Sequence, residues 1–235
     1  KLIKSNWDDA LETIAKKIKE FKPDQLAGHV GDMTSLENTL AFKKFFEQLR
    51  CSNLECRERK FYINKEDKIN YTFNSSIKGI EESDLILLIG CNPRLEATMV
   101  NARIRKAYNL NKIKIYSIGD PGDLTYEYTI VGNSTKDVAN LINDESKLSK
   151  DMKLSKKPIV IIGESALEMK SGQFIFEEIK EYLKKNNFIK EEWNALNVLI
   201  QNASTVGSLD LKLINSTKEN NFQFFDKLEN NNYKF

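Results

Sequence analysis

The chain has 235 residues, 40% of them hydrophobic and 30% charged, with 36 lysines and arginines against 34 aspartates and glutamates. That is enough for one large α/β domain, or one and a half smaller ones, around a buried core. The near-neutral balance excludes a nucleic-acid footprint, and no apolar run approaches the roughly 20 residues that span a bilayer.

Chemistry-bearing residues are few. Cys51, Cys56 and Cys91 cannot all pair and match no zinc or iron–sulfur spacing, so they read as reduced thiols of a cytosolic or matrix compartment. Cys51 and Cys56 as half of a split metal site lack further ligands. His29 is the sole histidine, so a Ser/His/Asp triad has one place to form, and no G-x-S-x-G elbow supports it. The plainer reading puts His29 in a strand-to-helix turn.

In chain order, Trp7, Leu11, Ile14, Ile18 and Phe21 recur every three or four residues and predict a helix, with Ser5 and Asp8 at capping-box spacing. "QLAGHVG" predicts a short strand closed by glycine. A second helix follows from about Thr34, capped by Thr34 with Glu37 and striped by Leu36, Leu40, Phe46 and Leu49. Residues 51–72 are charged and lack clear periodicity, with "KFYIN" a possible short strand.

After a short helix in "SSIKGIEES", the unbroken apolar run Leu85 to Ile89 predicts a central parallel strand covered on both faces. Asn92 as N-cap and Pro93 at the first helical position open the next helix. Pro93, Ala97, Val100, Ile104 and Ala107 lie on its sheet-facing side, and Arg94, Thr98, Asn101, Arg105 and Tyr108 look outward. "KIKIYSIGD" is the next strand, and "YTIVGNSTKDVANLI" a brief strand and a helix, which makes a parallel crossover unit.

Residues 144–157 are charged and read as a linker or exposed helix, which divides the chain into α/β units at 1–143 and 158–235. "PIVIIGESAL" repeats the scheme of apolar strand, glycine and helix. "SGQFIFEEIKEYLKKNNF" and "EEWNALNVLIQNASTVGSLDL" are read as two more helices, with Phe174, Ile175, Ile179 and Leu183, then Trp193, Leu196, Leu199 and Ile200, as core candidates. The expected class is α/β, a doubly wound, mostly parallel sheet in two Rossmann-like units. The closing "ENNNYKF" reads as the polar approach to another strand, and with no initial methionine the chain is expected to be part of something longer.

In such a sheet ligands bind beyond the carboxyl ends of the strands, where helix N-termini offer free N–H groups. Gly90 to Arg94 falls there. On one reading Gly90, Asn92 and the following backbone cradle a nucleotide phosphate, with Arg94 adding charge. On the other, Gly90 permits the turn, Asn92 caps, and Arg94 is solvated or bridges to a neighbouring domain. "GCNP" is not G-x-G-x-x-G, no Walker A motif exists, and "SIGDPGDL" reads as a turn. Glu96, Asp120 and Asp123 share the predicted edge and could form an acid/base pair, although carboxylates are common at helix starts for electrostatic reasons alone.

"NSSIKGIEESDLILLIGCNPRLEATMVNARIRKAY" resembles the block found in the large iron–sulfur subunit family of respiratory complex I, NADH-quinone oxidoreductase, whose distal part is similar to molybdopterin oxidoreductases such as formate dehydrogenase and DMSO reductase. "WDDALETIA", "GDPGDLTYEYTIVGNS", "KKPIVIIGESAL" and a tryptophan-led "EEWNALNVLI" helix extend the match from about Trp7 to Leu211. "NPRLEA" with "NARIRK" is the specific part; the W-x-x-A opening is shared with the whole molybdopterin family.

The resemblance implies that fold together with an absence. In molybdopterin enzymes the turn matching Gly90 to Glu96 helps hold a pterin guanine dinucleotide, a cofactor generally absent from the complex I family. Here Cys91 stands where a threonine is usual, and Ala97-Thr98 replaces Ala-Pro. The expectation is a scaffolding segment of NADH:quinone oxidoreductase with no catalytic residue, no metal and no bound cofactor. The alternative is a true molybdopterin guanine dinucleotide-binding domain using Gly90, Asn92, Arg94 and Glu96; a free-standing regulatory or nucleotide-binding α/β protein is a third reading. The parent subunit is expected to bind 2Fe-2S and 4Fe-4S clusters in an N-terminal region this chain does not contain. Expected partners are the rest of that subunit and other peripheral-arm subunits, reached through Arg94, Arg103, Arg105 and Lys106, with no nucleic acid and no membrane insertion. The implied place is the cytoplasmic face of a bacterial inner membrane or the matrix side of the mitochondrial one.

Overall fold

In a computed structural model, residues 3–143, 146–214 and 221–235 are described. Chain contacts divide it into two compact units, 1–60 with 202–235, and 61–201.

The first unit opens with helix α1 (Trp7–Lys19), whose cap is Asn6 and not Ser5: the Asn6 side chain accepts the Asp9 N–H at 2.8 Å. Its apolar stripe is present but buries nothing, and Trp7 is 81% exposed. Strand β1 (Gly28–His29) leads to α2 (Leu36–Gln48), capped by Ser35 on the Asn38 N–H, one residue later than expected. Within α2 only Thr39 is buried, while Leu36 and Leu40 stay exposed. Strand β2 (Leu54–Glu55) pairs with β1 in parallel, in the segment that lacked periodicity.

The second unit is built on a central strand, β3 (Leu85–Ile89), followed by α3 (Pro93–Glu96) and α4 (Thr98–Asn111). Asn92 caps this start through the Leu95 N–H, as its side chain and position predict. Then come β4 (Lys114–Ile118), β5 (Thr129–Gly132), α5 (Thr135–Ile142), α6 (Lys147–Leu154), β6 (Pro158–Gly163), α7 (Glu164–Leu167), α8 (Gly172–Lys185) and β7 (Leu196–Leu199). The chain returns to the first unit with α9 (Thr205–Asp210) and α10 (Gln223–Glu229).

All five strands of the second unit are parallel, in the order β5-β4-β3-β6-β7. Ile86, Leu88, Ile115, Ile159 and Ile161 pack with Val100, Ile104 and Ala107 of α4 into one core cluster. The alternate residues Leu85, Leu87, Ile89, Val160 and Ile162 are buried as well, which is why these strands read as unbroken apolar runs.

Three expectations are corrected. The charged stretch after residue 143 does not separate two α/β units: β6 pairs with β3 along its length, from Leu85↔Pro158 to Ile89↔Ile162. Within that stretch α6 buries Leu148 and Met152; Asp144 and Glu145 lie outside the described residues. The "EEWNALNVLI" segment is strand β7 and not a helix, because Leu196 to Leu199 completes a parallel ladder with β6 and the short apolar run was ambiguous between the two periods. Phe174 is 41% exposed, whereas Ile175, Ile179 and Leu183 are buried as expected. Among the described residues no helix is long and apolar enough to cross a membrane.

Candidate functional site

From β3 the chain moves to one side, through β4 to β5, and then crosses to the other side for β6 and β7. The strand order therefore reverses between β3 and β6, and the crevice beyond their carboxyl ends is where open α/β sheets hold ligands. Gly90 and Gly163 end these two strands.

The crevice is closed by the chain itself. Gly90 has φ +54°, and a Cβ there would lie 2.8 Å from the backbone nitrogen and the Cβ of Ala166 in α7. A Cβ on Gly163 would lie 2.3 Å from the Gly90 carbonyl oxygen and 2.5 Å from the Cys91 Cβ. Both glycines permit one backbone to approach another. The space left beside them, lined in part by Gly90, Gly119, Ser134, Ala166 and Met169, measures about 150 Å³. Small-molecule sites span roughly 300–1,000 Å³.

Several amides at this edge are bonded to the chain's own carboxylates. Glu96 accepts the Asn92 N–H at 2.9 Å. Asp137 accepts the Asn133 and Ser134 N–H groups at 3.1 and 2.9 Å and the Ser134 hydroxyl at 2.7 Å. Glu164, 1% exposed, accepts the Gln201 N–H at 2.8 Å. In the "GDPGDL" turn, Asp120 accepts the Gly122 N–H and Asp123 the Thr125 N–H, each at 2.9 Å. Arg94, the cation proposed for a phosphate, is bound to the Asp123 carboxylate.

The electrostatics follow from these partners. The Ser134 hydroxyl holds the Asp137 carboxyl below the usual aspartate range, and the Thr125 amide, then Arg94, do the same for Asp123. Burial pushes the Glu96 carboxyl up. Burial also pushes the Cys91 thiol well up, which makes it a packed, unreactive group. Glu96, Asp120 and Asp123 thus share an edge, as expected, but each is turned onto a local amide.

The outward basic face is partly spent inside the unit. Arg103 and Lys106 both bind Glu81, whose carboxyl they hold down; Asn101, expected to face outward, is buried and donates to the Leu124 carbonyl at 3.2 Å. Arg105 is exposed. In the first unit, His29 sits with its Nε2 3.2 Å from the Arg57 carbonyl oxygen, and no hydroxyl nucleophile is bonded to it among the described residues. All three cysteines are buried and unpaired.

A five-stranded parallel sheet with a central switch point defines this unit as a doubly wound α/β domain of the dinucleotide-binding topology. The molybdopterin oxidoreductase family matches residues 1–232, and the chain belongs to that family. The chain is 33% identical over 211 residues to the NADH-quinone oxidoreductase G subunit of Rickettsia bellii, covering 90% of this chain and 31% of that protein. It is 31% identical over 209 residues to the mitochondrial NADH dehydrogenase (ubiquinone) iron–sulfur protein 1 of Solanum tuberosum, covering 89% of this chain and 28% of the relative. The corresponding protein of Rickettsia typhi is 32% identical over 211 residues, covering 90% of this chain and 31% of its own length. The chain therefore spans less than a third of the length of these curated relatives. The pterin that the family name implies does not fit between Gly90 and Gly163, because the backbones touch there, and the nearby Asn92 and Ser134 amides are bonded to Glu96 and Asp137.

Proposed function

We propose that the chain is a scaffolding segment of the large iron–sulfur subunit of NADH:quinone oxidoreductase, the complex that couples NADH oxidation to quinone reduction and proton translocation. The observation that carries this reading is the similarity, over about nine-tenths of the chain, to NADH dehydrogenase proteins of a bacterium and of a plant mitochondrion. In this reading the segment holds no redox centre and no metal. Any 2Fe-2S and 4Fe-4S clusters belong to other parts of the parent subunit, and the segment contributes packing and shape. It sits on the peripheral arm, with the rest of its own subunit and neighbouring arm subunits as partners. The absence of a bound pterin is supported by the touching strand ends at Gly90 and Gly163 and by the carboxylates seated on the surrounding amides.

The test is a native gel of detergent-solubilised host membranes, probed with an antibody to the chain and stained in parallel for NADH dehydrogenase activity. Co-migration in a very large active band is expected. A small species away from that activity overturns the assignment. Metal analysis and fluorescence of oxidised pterin on the same purified band are expected to show no molybdenum and no pterin; a stoichiometric signal for either restores the alternative in which Gly90, Asn92, Arg94 and Glu96 bind a dinucleotide.

A further inference from the structure

Residues 147–157, KLSKDMKLSKK, hold five lysines and one aspartate. Helix α6 sorts them by face: Leu148, Ser149 and Met152 turn into the second unit, while Lys147, Lys150, Lys153 and Leu154 stay outside. Lys156 is exposed just beyond the helix, and Leu154 is 81% exposed. Beside α6, at the amino ends of β3 and β4, lies a hollow of about 460 Å³ whose lining includes Leu85, Lys112, Ile113, Lys114, Asp151 and Leu154.

The carboxylates at this end of the sheet are committed to the chain itself. Asp151 accepts the Lys114 ammonium at 2.8 Å and the Tyr116 hydroxyl, and Glu82 accepts Lys157 at 2.6 Å. Asp84 accepts the Lys156 and Lys157 amides at 2.7 and 3.1 Å. Lys147, Lys150 and Lys156 form no salt bridge among the described residues. With Lys112 and Lys114 counted, seven lysines stand with three carboxylates, an excess of four positive charges in a chain whose net charge is +2. Lysines held close without counter-charges repel one another, and an anionic surface laid over them removes that cost.

We propose that the outer face of α6 and the adjoining hollow dock an acidic segment of a neighbouring protein. Its carboxylates lie against Lys147, Lys150 and Lys156, and an apolar side chain beside them packs on Leu154 and enters the hollow. Charge complementarity selects this partner. A lipid surface needs an apolar helix face to insert, and the apolar stripe of α6 is spent in the core. A nucleic acid draws on arginine forks and stacking rings, and the outer face of α6 offers lysines and one leucine. The inference rests on the reading above for the partner's whereabouts, a neighbour in the same assembly, and adds which face that partner meets and what chemistry it carries.

The experiment replaces Leu154 with photoreactive benzoylphenylalanine in the host, irradiates the solubilised membranes and identifies what becomes attached. A segment of another protein in which aspartate and glutamate outnumber lysine and arginine is expected. Attachment to lipid, to nucleic acid, to a second copy of this chain, to a segment without that acidic excess, or to nothing overturns the proposal. Adding Lys147→Glu and Lys150→Glu is expected to lower the crosslink yield about tenfold, because like charges then face each other. The same charge change at Lys136 and Lys170, exposed near the starts of α5 and α8, is expected to leave the yield unchanged. An equal fall in the two variants overturns the proposal. The crosslink is read in whichever species the wild-type chain forms. Migration away from the large active band therefore counts against the complex I reading alone, and the identity of the attached segment decides this one.

Discussion

The two units of this chain are held together by different physics. The second is organised by five parallel strands whose buried faces are almost wholly aliphatic. The first has a two-stranded pair and, at its centre, a fully buried ion pair. Glu55 accepts both nitrogens of the Arg57 fork at 3.0 and 2.8 Å, together with the Cys56 and Arg57 amides, each at 3.0 Å. The remaining guanidinium nitrogen donates to the Asn221 side chain at 2.7 Å, and Phe222 and Phe225 flank the group. Burial of Cys56 beside Glu55 pushes its thiol up to about 12. The first unit thus closes around a buried ion pair that joins residues far apart in sequence, whereas the large sheet buries a neutral amide, Asn197, bonded to Ser75 and the Val160 carbonyl.

The largest expected effect tests that difference. Arg57→Met leaves the Glu55 carboxylate buried without its partner and is expected to destabilise the first unit by about 3–5 kcal/mol in urea unfolding. Adding Glu55→Leu is expected to recover part of the loss, because a buried charge no longer lacks a counterion. A single substitution within about 1 kcal/mol of wild type would show that the network does not hold the unit.

In the second unit the sensitive feature is steric. Gly163→Ala places a methyl group against the Gly90 carbonyl and is expected to cost about 1–3 kcal/mol by overpacking, with a matching fall in thermal midpoint. A neutral result would mean that the β3 and β6 ends can separate, and would reopen the crevice as a ligand site.

The smallest effect is at the start of α5. Asp137→Ala removes the carboxylate from the Asn133 and Ser134 amides and is expected to cost about 1 kcal/mol at neutral pH. Its carboxyl titrates lower in the folded than in the unfolded chain, so the stabilisation is complete above the ordinary aspartate range, begins to fall near about pH 4 and is lost as pH drops through the lowered folded value. Thermal midpoints of the two proteins are therefore expected to differ at pH 7 and to draw together as pH falls through and below the ordinary aspartate range; a gap that does not narrow would mean that the carboxylate is not the group responsible.

Legibility in the sequence cut across this division. β3, β4, β6 and the Asn92-Pro93 helix start were readable because each is announced by its own residues: apolar runs, a side-chain cap, and a proline whose missing N–H costs nothing at that position. β7 was misread because a short buried run carries no period of its own and became a strand only by pairing with β6. The 51–72 stretch looked unstructured because Arg57 and Glu55 are ordinary surface residues until a partner such as Asn221, at a sequence distance of 164, encloses them. At the candidate site, Gly90 and Asn92 were found for the right local reasons. Their sequence could not say whether the neighbouring amides wait for a ligand or are bonded to Glu96, Asp137 and Glu164.

Alternation, capping and composition, which act between near neighbours, determined by themselves that this chain builds parallel strands followed by helices and that its switch-point glycines stand at strand ends. Whether the crevice stays open, that Glu164 reaches the Gln201 amide, and which charged residues end up buried were decided only in the tertiary structure. Those outcomes depend on segments separated by dozens of residues packing so closely that a single added methyl group on Gly163 would fall 2.3 Å from the Gly90 carbonyl oxygen, and such a contact settles what the space can hold.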